Sequence, residues 1–380
     1  MIRLSKSYVG EDEAKAVREV LLDGYLGMGK FVGEFEEILA DYFGRPAVCV
    51  STGTAALQLS LQAIGLKPGD EVLVPALTYL ASFQAITAAG CKPVACDIDP
   101  ITLFIDIDDA NERLTNKTKA IMPVFYASSI GNLVELSLFA KKNKLRIIED
   151  AAHAFGSRCK SELIGSFGDI SCFSFDGIKN ITSGEGGCIV SNDEQFIQRV
   201  RDIRLLGVQN DSVKRLSGAR SWNFDVVEQG WRYHMSNIMA SIGITQFNKK
   251  SVMFSKRQEL AQHYDKILKT NSDIKLLPLN YSEIVPHIYV VQIKNLRDRT
   301  KLRKQLLDKG IETGLHYLPN NYLTLFKSDS NRHLSVTDNV WPELLSLPLH
   351  PALEFQDIDY VCKHLLEIIT KSNDKPTSFT

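Results

Sequence analysis

The sequence predicts an α/β fold, with a mostly parallel sheet sandwiched by helices and a smaller α/β domain at its C-terminal end. Two patterns lead there. From about residue 45 to 200, short apolar runs alternate with helical patterns, as in strand–helix–strand units that build a parallel sheet. Beyond about residue 270 the pattern becomes mixed, with isolated strand and helix signals that suit a second, smaller layer.

In chain order, Glu11–Leu22 and Phe31–Phe43 have the periodicity of amphipathic helices, separated by Gly24-Tyr25-Leu26-Gly27-Met28-Gly29. Ala47–Val50 opens the sheet and leads into a helix from about Ala55 to Ile64. Glu71–Pro75 is the next strand, followed by a helix over Ala81–Ala89. Pro93–Ile98, Ala120–Val124 and Leu145–Asp150 continue the theme, with Leu133–Asn143 as an intervening helix. Ile170–Phe175 and Cys188–Ser191 read as two more strands, which places Lys179 on the loop between them. Gly207–Gly230 is polar and long for a connector, so a functional or partner-contacting loop is expected. Met235–Phe247 and Ser255–Leu268 read as helices, Ile288–Ile293 as a strand, and Thr300–Lys309 and Gln356–Thr370 as helices. The division expected is 1–250 for the large domain with its N-terminal helices and 251–380 for the small one, ending in a polar tail, Lys371–Thr380.

Composition narrows the function. The chain of 380 residues is 44% apolar and 23% charged, with a net charge of −1, so it is globular and carries no basic block for nucleic acid or an anionic membrane. Met1-Ile2-Arg3-Leu4-Ser5-Lys6 has none of the apolar length of a signal peptide, and no run of about 18 apolar residues would span a bilayer. The seven cysteines form no Cys-x-x-Cys pair and mostly lie in apolar runs, which predicts reduced thiols and a cytoplasmic setting.

Three features converge on one chemistry. An apolar strand ends in Glu149-Asp150-Ala151-Ala152-His153. Ser174-Phe175-Asp176-Gly177-Ile178-Lys179-Asn180 then leads to Ser183-Gly184-Glu185-Gly186-Gly187. A lysine amine can hold an aldehyde as a Schiff base, a carboxylate can hold a pyridinium nitrogen, and glycine-rich turns can hold a phosphate. Those are the three needs of pyridoxal 5'-phosphate (PLP). A solvated lysine is the ordinary alternative, but the run Ile170–Phe175 that delivers Lys179 is too apolar for a surface, and a desolvated lysine is a nucleophile toward carbonyls. Asp150 could equally cap a helix beginning at Ala151, whereas as a cofactor partner it would keep the pyridine ring an electron sink. Ser51-Thr52-Gly53-Thr54 lies at a strand-to-helix junction where backbone N–H groups and the helix dipole favour phosphate, or where Ser and Thr simply cap the helix. Tyr79, just past a strand end, could stack on a planar ring or fill a core.

Taken together, Gly24–Glu36, Ser51–Leu57, Gly69–Pro75, Glu149–Gly156, Gly168–Gly187, Gly230–Gln246 and Leu345–Pro351 resemble, in order and over nearly the whole chain, the DegT/DnrJ/EryC1/StrS sugar aminotransferases. These are PLP enzymes of fold type I. The resemblance implies that Lys179 is the catalytic residue, carrying the cofactor and moving protons, and that Asp150 pairs with the pyridinium. It implies that Tyr79 stacks on the ring, that Gly53, Thr54 and Ser174 bind the phosphate, and that His153 lies near the ring's phenolic oxygen. Glutamate is implied as amino donor and a nucleotide-linked keto sugar as acceptor, in ping-pong order at one site. A homodimer with shared active sites is implied too, in which the partner chain reaches the phosphate from a Gly-Tyr-Asn-Tyr-Arg stretch. Here that stretch is Gly230-Trp231-Arg232-Tyr233-His234, so Arg232 takes the asparagine position.

Substrate choice is less legible. Asp176 stands where many relatives acting on 4-keto sugars have histidine, and with Gly184-Glu185-Gly186-Gly187 it looks closer to that group than to the 3-keto group. A 4-keto-6-deoxyhexose is the favoured acceptor, with a 3-keto sugar or an eight-carbon acidic sugar as alternatives. The product would serve deoxyamino sugar biosynthesis for lipopolysaccharide O-antigen, another glycan or an antibiotic. His316 and Tyr317 match a place where relatives approach the sugar, or pack a loop on the large domain. Arg220 and Trp222 could meet a nucleotide diphosphate by charge and stacking, though Arg220 also reads as a surface arginine. A PLP sugar dehydratase would have histidine in place of Lys179, a non-catalytic regulator would lack the lysine or the acid, and a dinucleotide oxidoreductase would need the Gly-x-Gly-x-x-Gly turn that the first strand lacks.

Overall fold

The protein is described by a computed structural model in which residues 1–219, 222–327 and 333–373 are placed. Two N-terminal helices, α1 (Glu11–Asp23) and α2 (Lys30–Phe43), precede the sheet. The strands β1 (Ala47–Val50), β2 (Glu71–Pro75), β3 (Lys92–Cys96), β4 (Thr118–Ile121) and β5 (Arg146–Asp150) alternate with α3 (Gly53–Ala63), α4 (Leu80–Ala88), α5 (Ile107–Glu112) and α6 (Leu133–Asn143). A small hairpin, β6 (Arg158–Cys159) and β7 (Glu162–Leu163), leads to β8 (Ile170–Ser174) and β9 (Gly187–Ser191). The large sheet has seven strands in the order β1-β9-β8-β5-β4-β2-β3. All neighbours run parallel except β9, which is antiparallel to both β1 and β8.

Period-two alternation sorts each strand between two cores. Val48, Cys172 and Ile189 face α3, α4 and helix α7 (Glu194–Ile203), whose Phe196, Ile197, Val200 and Ile203 are buried there. Cys49, Phe173 and Cys188 face α2, α5, α6 and helix α9 (Asn237–Asn248). α3 is buried at nearly every position from Ala55 to Leu61 because it is covered on its outer side as well as its sheet side. Its start is set by Thr52, whose hydroxyl accepts from the Ala55 N–H at 3.0 Å.

The C-terminal part holds a three-stranded antiparallel sheet, β10 (Ile274–Leu276), β11 (Tyr289–Ile293) and β12 (Leu344–Leu347), in that order. Helices α10 (Lys250–Leu268), α11 (Arg299–Leu307) and α13 (Phe355–Asn373) cover one face, against Tyr289, Val291 and Ile293. Ile288, Val290 and Leu344 on the opposite face pack on Leu77, Ile98 and Tyr126 of the large part. This packing brings the start of β11 to the carboxyl ends of the large sheet. Residues 2–4 also join this part: Ile2 bridges Ile311, and the Leu349 N–H donates to the Leu4 carbonyl at 3.1 Å.

Several elements depart from the sequence expectations. β4 ends at Ile121 rather than Val124, since Pro123 has no N–H to continue the ladder. α10 begins at Lys250 instead of Ser255; β10, β12 and α5 are short, and α7 was not expected although Phe196, Ile197, Val200 and Ile203 have the spacing of one helical face. The polar stretch 207–230 contains a short helix, α8 (Asp211–Leu216), stapled by Arg215 to Asp211 at 2.6 Å. A twelfth-hour turn of helix, α12 (Ser335–Val340), docks on Asp97, whose carboxylate accepts from the Val336 and Thr337 N–H groups. Among the described residues no helix is long and apolar enough to cross a membrane.

Candidate active site

Lys179 lies on the β8–β9 loop, as its sequence context predicts, and the loop is pinned on several sides. The Ser183 N–H donates to the Phe175 carbonyl at 2.9 Å, and the Phe175 N–H donates to Gly186 at 2.8 Å. Next to the lysine, the Asn180 amide donates to the carbonyls of Phe155 at 3.0 Å and Val285 at 3.1 Å, tying the loop to both parts of the chain. The Lys179 amine sits 3.3 Å from Nε2 of His287. Its pKa is lowered to about 8 by burial, with Arg257 adding to the depression while Asp150 and Asp176 oppose it.

Asp150 is the last residue of β5 and is buried. Its carboxylate accepts from Ser82 Oγ at 2.8 Å and from the Ala152 N–H at 3.3 Å. Ser82 Oγ is in turn 2.9 Å from Thr78 Oγ1. Burial raises the Asp150 pKa despite these bonds and the nearby Lys179. A buried acid in that condition lacks a full counter-charge, and a protonated pyridine nitrogen would supply one.

His153, also buried, lies with its ring centroid 4.4 Å from that of His287, and its Nε2 is 3.2 Å from the Tyr317 hydroxyl. Both imidazoles are pushed well below the ordinary histidine value by burial and then by Lys179, and among the described residues Nδ1 of each has no hydrogen-bond partner. Tyr317 continues the wall to Tyr79, with ring centroids 5.2 Å apart. Tyr79 caps the start of α4 and is 58% exposed, so its ring face is open to a flat ligand. His316 reaches the same wall; its Nδ1 is 2.7 Å from Ser346 Oγ, and burial lowers its pKa to about 4.

The turn where β1 runs into α3 has the form of an anion cradle. A Cβ placed on Gly53 would stand 2.8 Å from Cβ of Ser174, so only glycine lets the helix start come this close to the end of β8. Thr54 is exposed on the first turn. The segment bearing Arg232 runs alongside: the Ser51 N–H donates to the Tyr233 carbonyl at 2.7 Å, and Val50 bridges His234. Arg232 itself is exposed. A PLP-sized ligand therefore meets an amine, an under-compensated acid, an open aromatic face and a phosphate cradle in one place, and the residues present fit that group.

Asp176 lies in the turn before Lys179, its carboxylate accepting from the Ile178 N–H at 3.2 Å. The exposed Glu185 carboxyl is raised by partial burial and by Asp176, which marks the two acids as neighbours. Trp222 is 86% exposed, and Arg220 lies outside the described residues. Three members were not singled out by sequence. Ser82 had only its spacing from Thr78 as a signal, and His287 and Arg257 come from the C-terminal part, which joins the site only through tertiary packing.

Comparison with known proteins finds relatives of the same fold. An uncharacterized protein of Methanocaldococcus jannaschii is 32% identical over 373 residues, covering 96% of each chain. The aminotransferase TlmJ of Streptoalloteichus hindustanus has the same fold, with a TM-score of 0.90 and 30% identity over 99% of this chain and all of its own. Spr1654 of Streptococcus pneumoniae, described as a sugar aminotransferase and solved in PMP and PLP forms, gives a TM-score of 0.90 at 29% identity for the PMP form, over 98% of this chain and 100% of its own. Residues 7–366 match the family model itself, and the chain belongs to the DegT/DnrJ/EryC1/StrS aminotransferase family.

Proposed function

We propose that this sugar aminotransferase transfers an amino group from glutamate to a nucleotide-linked 4-keto-6-deoxyhexose, with Lys179 as its catalytic residue. Its cofactor is pyridoxal phosphate. The observation that carries the assignment to Lys179 is its half-buried amine, with a pKa lowered to about 8, on a loop pinned beside Asp150 and His287. When bound, the cofactor supplies a carbonyl for the amine and a ring that draws off the negative charge left when a proton is lost. Lys179 binds the cofactor and, when released, takes and returns that proton. Asp150 holds the ring nitrogen protonated, its own position held by Ser82 and Ala152. Gly53, Thr54 and Ser174 hold the phosphate, and Tyr79 covers one ring face. His153 sits by the ring's phenolic oxygen. One site serves donor and acceptor, so the order is ping-pong.

Asp176 and Glu185 place two acids at the approach to Lys179. They can accept hydrogen bonds from sugar hydroxyls, which suits a keto sugar as acceptor. His316 and Tyr317 line the sugar side. Exposed Arg232 would reach the phosphate of a second copy, so a homodimer is part of this reading. The functional division falls near residue 250, with the small part closing the site through His287, His316 and Tyr317. The seven cysteines, all free, suit a reducing cytoplasm.

Adding PLP to the purified protein should produce a visible band, and borohydride should fix the cofactor's mass to the peptide containing Lys179. Lys179→Ala should stay colourless while melting normally. Glutamate should bleach the band, and neutral nucleotide-linked 4-keto sugars should restore it. No band with PLP would overturn the role of Lys179; restoration only by 3-keto or acidic sugars would overturn the substrate.

A further inference from the structure

Arg257, on α10, is 2% exposed, and among the described residues no ion pair involves it. Its guanidinium donates instead to three backbone carbonyls: His287 at 2.9 Å, Leu349 at 3.3 Å and Ile178 at 3.2 Å. Two of these bear directly on the reacting amine. Ile178 immediately precedes Lys179, and the His287 ring touches the Lys179 amine at 3.3 Å. The His287 backbone is held a second time, since its N–H donates to Ser128 Oγ at 3.0 Å. A buried cation is costly without a carboxylate partner, so one retained here has to be held by what it binds.

We propose that Arg257 is a positioning residue for Lys179, and that His287 is the side chain it sets in place to hold the free Lys179 amine. The guanidinium ties the two backbone segments to one point, as its rigid fork suits. This inference rests on Lys179 being the amine that receives the cofactor. Groups facing that amine are Asp150 on β5, Asp176 on its own loop, His153 after β5, His316 and His287 from the C-terminal part, and Arg257. Of these, the two acids favour the charged amine, whereas Arg257 favours the neutral one.

The test is trace labelling of the cofactor-free full chain with acetic anhydride across pH, read on the Lys179 peptide, together with the rate of PLP capture. Wild-type labelling should have its midpoint near 8, and Arg257→Met should move it up toward the ordinary 10.5. Arg257→Lys keeps the charge but not the fork, so its midpoint should stay near the wild-type value while PLP capture slows by about tenfold or more. His287→Leu should slow capture similarly, and His287→Gln, which restores a polar group at that place, should recover most of it. A purely structural arginine would lower the melting temperature of both Arg257 variants and leave labelling and capture unchanged; that result overturns the proposal. Should Arg257→Met not fold, the Arg257→Lys and His287 variants decide it by capture rate alone. If the wild-type chain itself fails to capture PLP at Lys179, the role of Lys179 falls first; if it captures normally and the variants match it, only the positioning role falls.

Discussion

Two polar clusters beside the large sheet are built in opposite ways. In one, Arg204 from the end of α7, with its side chain fully buried, meets Glu36 of α2 directly, and it also donates to the Cys49 carbonyl at 2.6 Å while the Cys49 N–H donates to Glu36 at 2.9 Å. Cation, anion and the backbone of β1 complete one another. Around the half-buried Lys179, Asp150, His153 and His287 are also buried, but none is fully matched: the lysine and the histidines are pushed toward their neutral forms and Asp150 is pushed upward, each chiefly by desolvation. The matched cluster spends its charges on holding α2, α7 and β1 together. The unmatched one keeps them available for a ligand, at the seam where the second part of the chain meets the sheet.

That contrast can be broken by mutation. The largest effect on folding should come from Arg204→Met, which strands a buried carboxylate and should cost about 3–5 kcal/mol in denaturant unfolding. A loss below about 1 kcal/mol would show that the pair is not a structural anchor. Asp150→Asn should do the reverse. Stability should hardly change, because a buried acid with a raised pKa gains little from its charge, while turnover falls by about 10²–10³-fold. Equal losses of stability in the two variants would erase the distinction.

Glu149 sharpens it, being the neighbour of Asp150 on the other side of β5. It is buried against Ser171 and Arg45, and burial raises its pKa from 4.5 to about 7. The folded state thus keeps a proton that the unfolded chain releases between these values, so this group's contribution is intact below pH 4.5 and is lost as pH rises through 7. The stability difference between wild type and Glu149→Gln should therefore move by about 3 kcal/mol in favour of the variant across that window. A pH-independent difference would mean that Glu149 does not titrate there. The smallest effect is expected for Tyr317→Phe, which loses the 3.2 Å contact to His153 but keeps the ring wall. It should change turnover by less than about tenfold, with the protein's melting unaltered.

Much of the sheet was legible because its strands are buried on both faces and read as continuous apolar runs, as in Ile170–Ser174 and Glu71–Pro75. Lys179 and Asp150 were legible for a related reason: each follows such a run, so its place at a strand's carboxyl end can be inferred from one dimension. β12 was not, being only four residues long, whereas the helix over 194–203 was legible in principle from Phe196, Ile197, Val200 and Ile203 on one helical face but was not expected. The direction of β9 was not legible either, because period-two alternation sorts residues between faces without saying which way a strand runs.

By itself the sequence determined the local chemistry of this protein: an amine, an acid and a glycine-bearing helix start, each delivered by a nearby apolar strand. Only the tertiary structure decided that Arg257, His287, His316 and Tyr317, drawn from a different sheet and helix, close around that amine. Such contacts span more than a hundred positions between Lys179 and His287 (|i−j| = 108), and no local pattern records them. They arise because the small sheet has two apolar faces, and burying the second against Leu77, Ile98 and Tyr126 carries the start of β11 to the site.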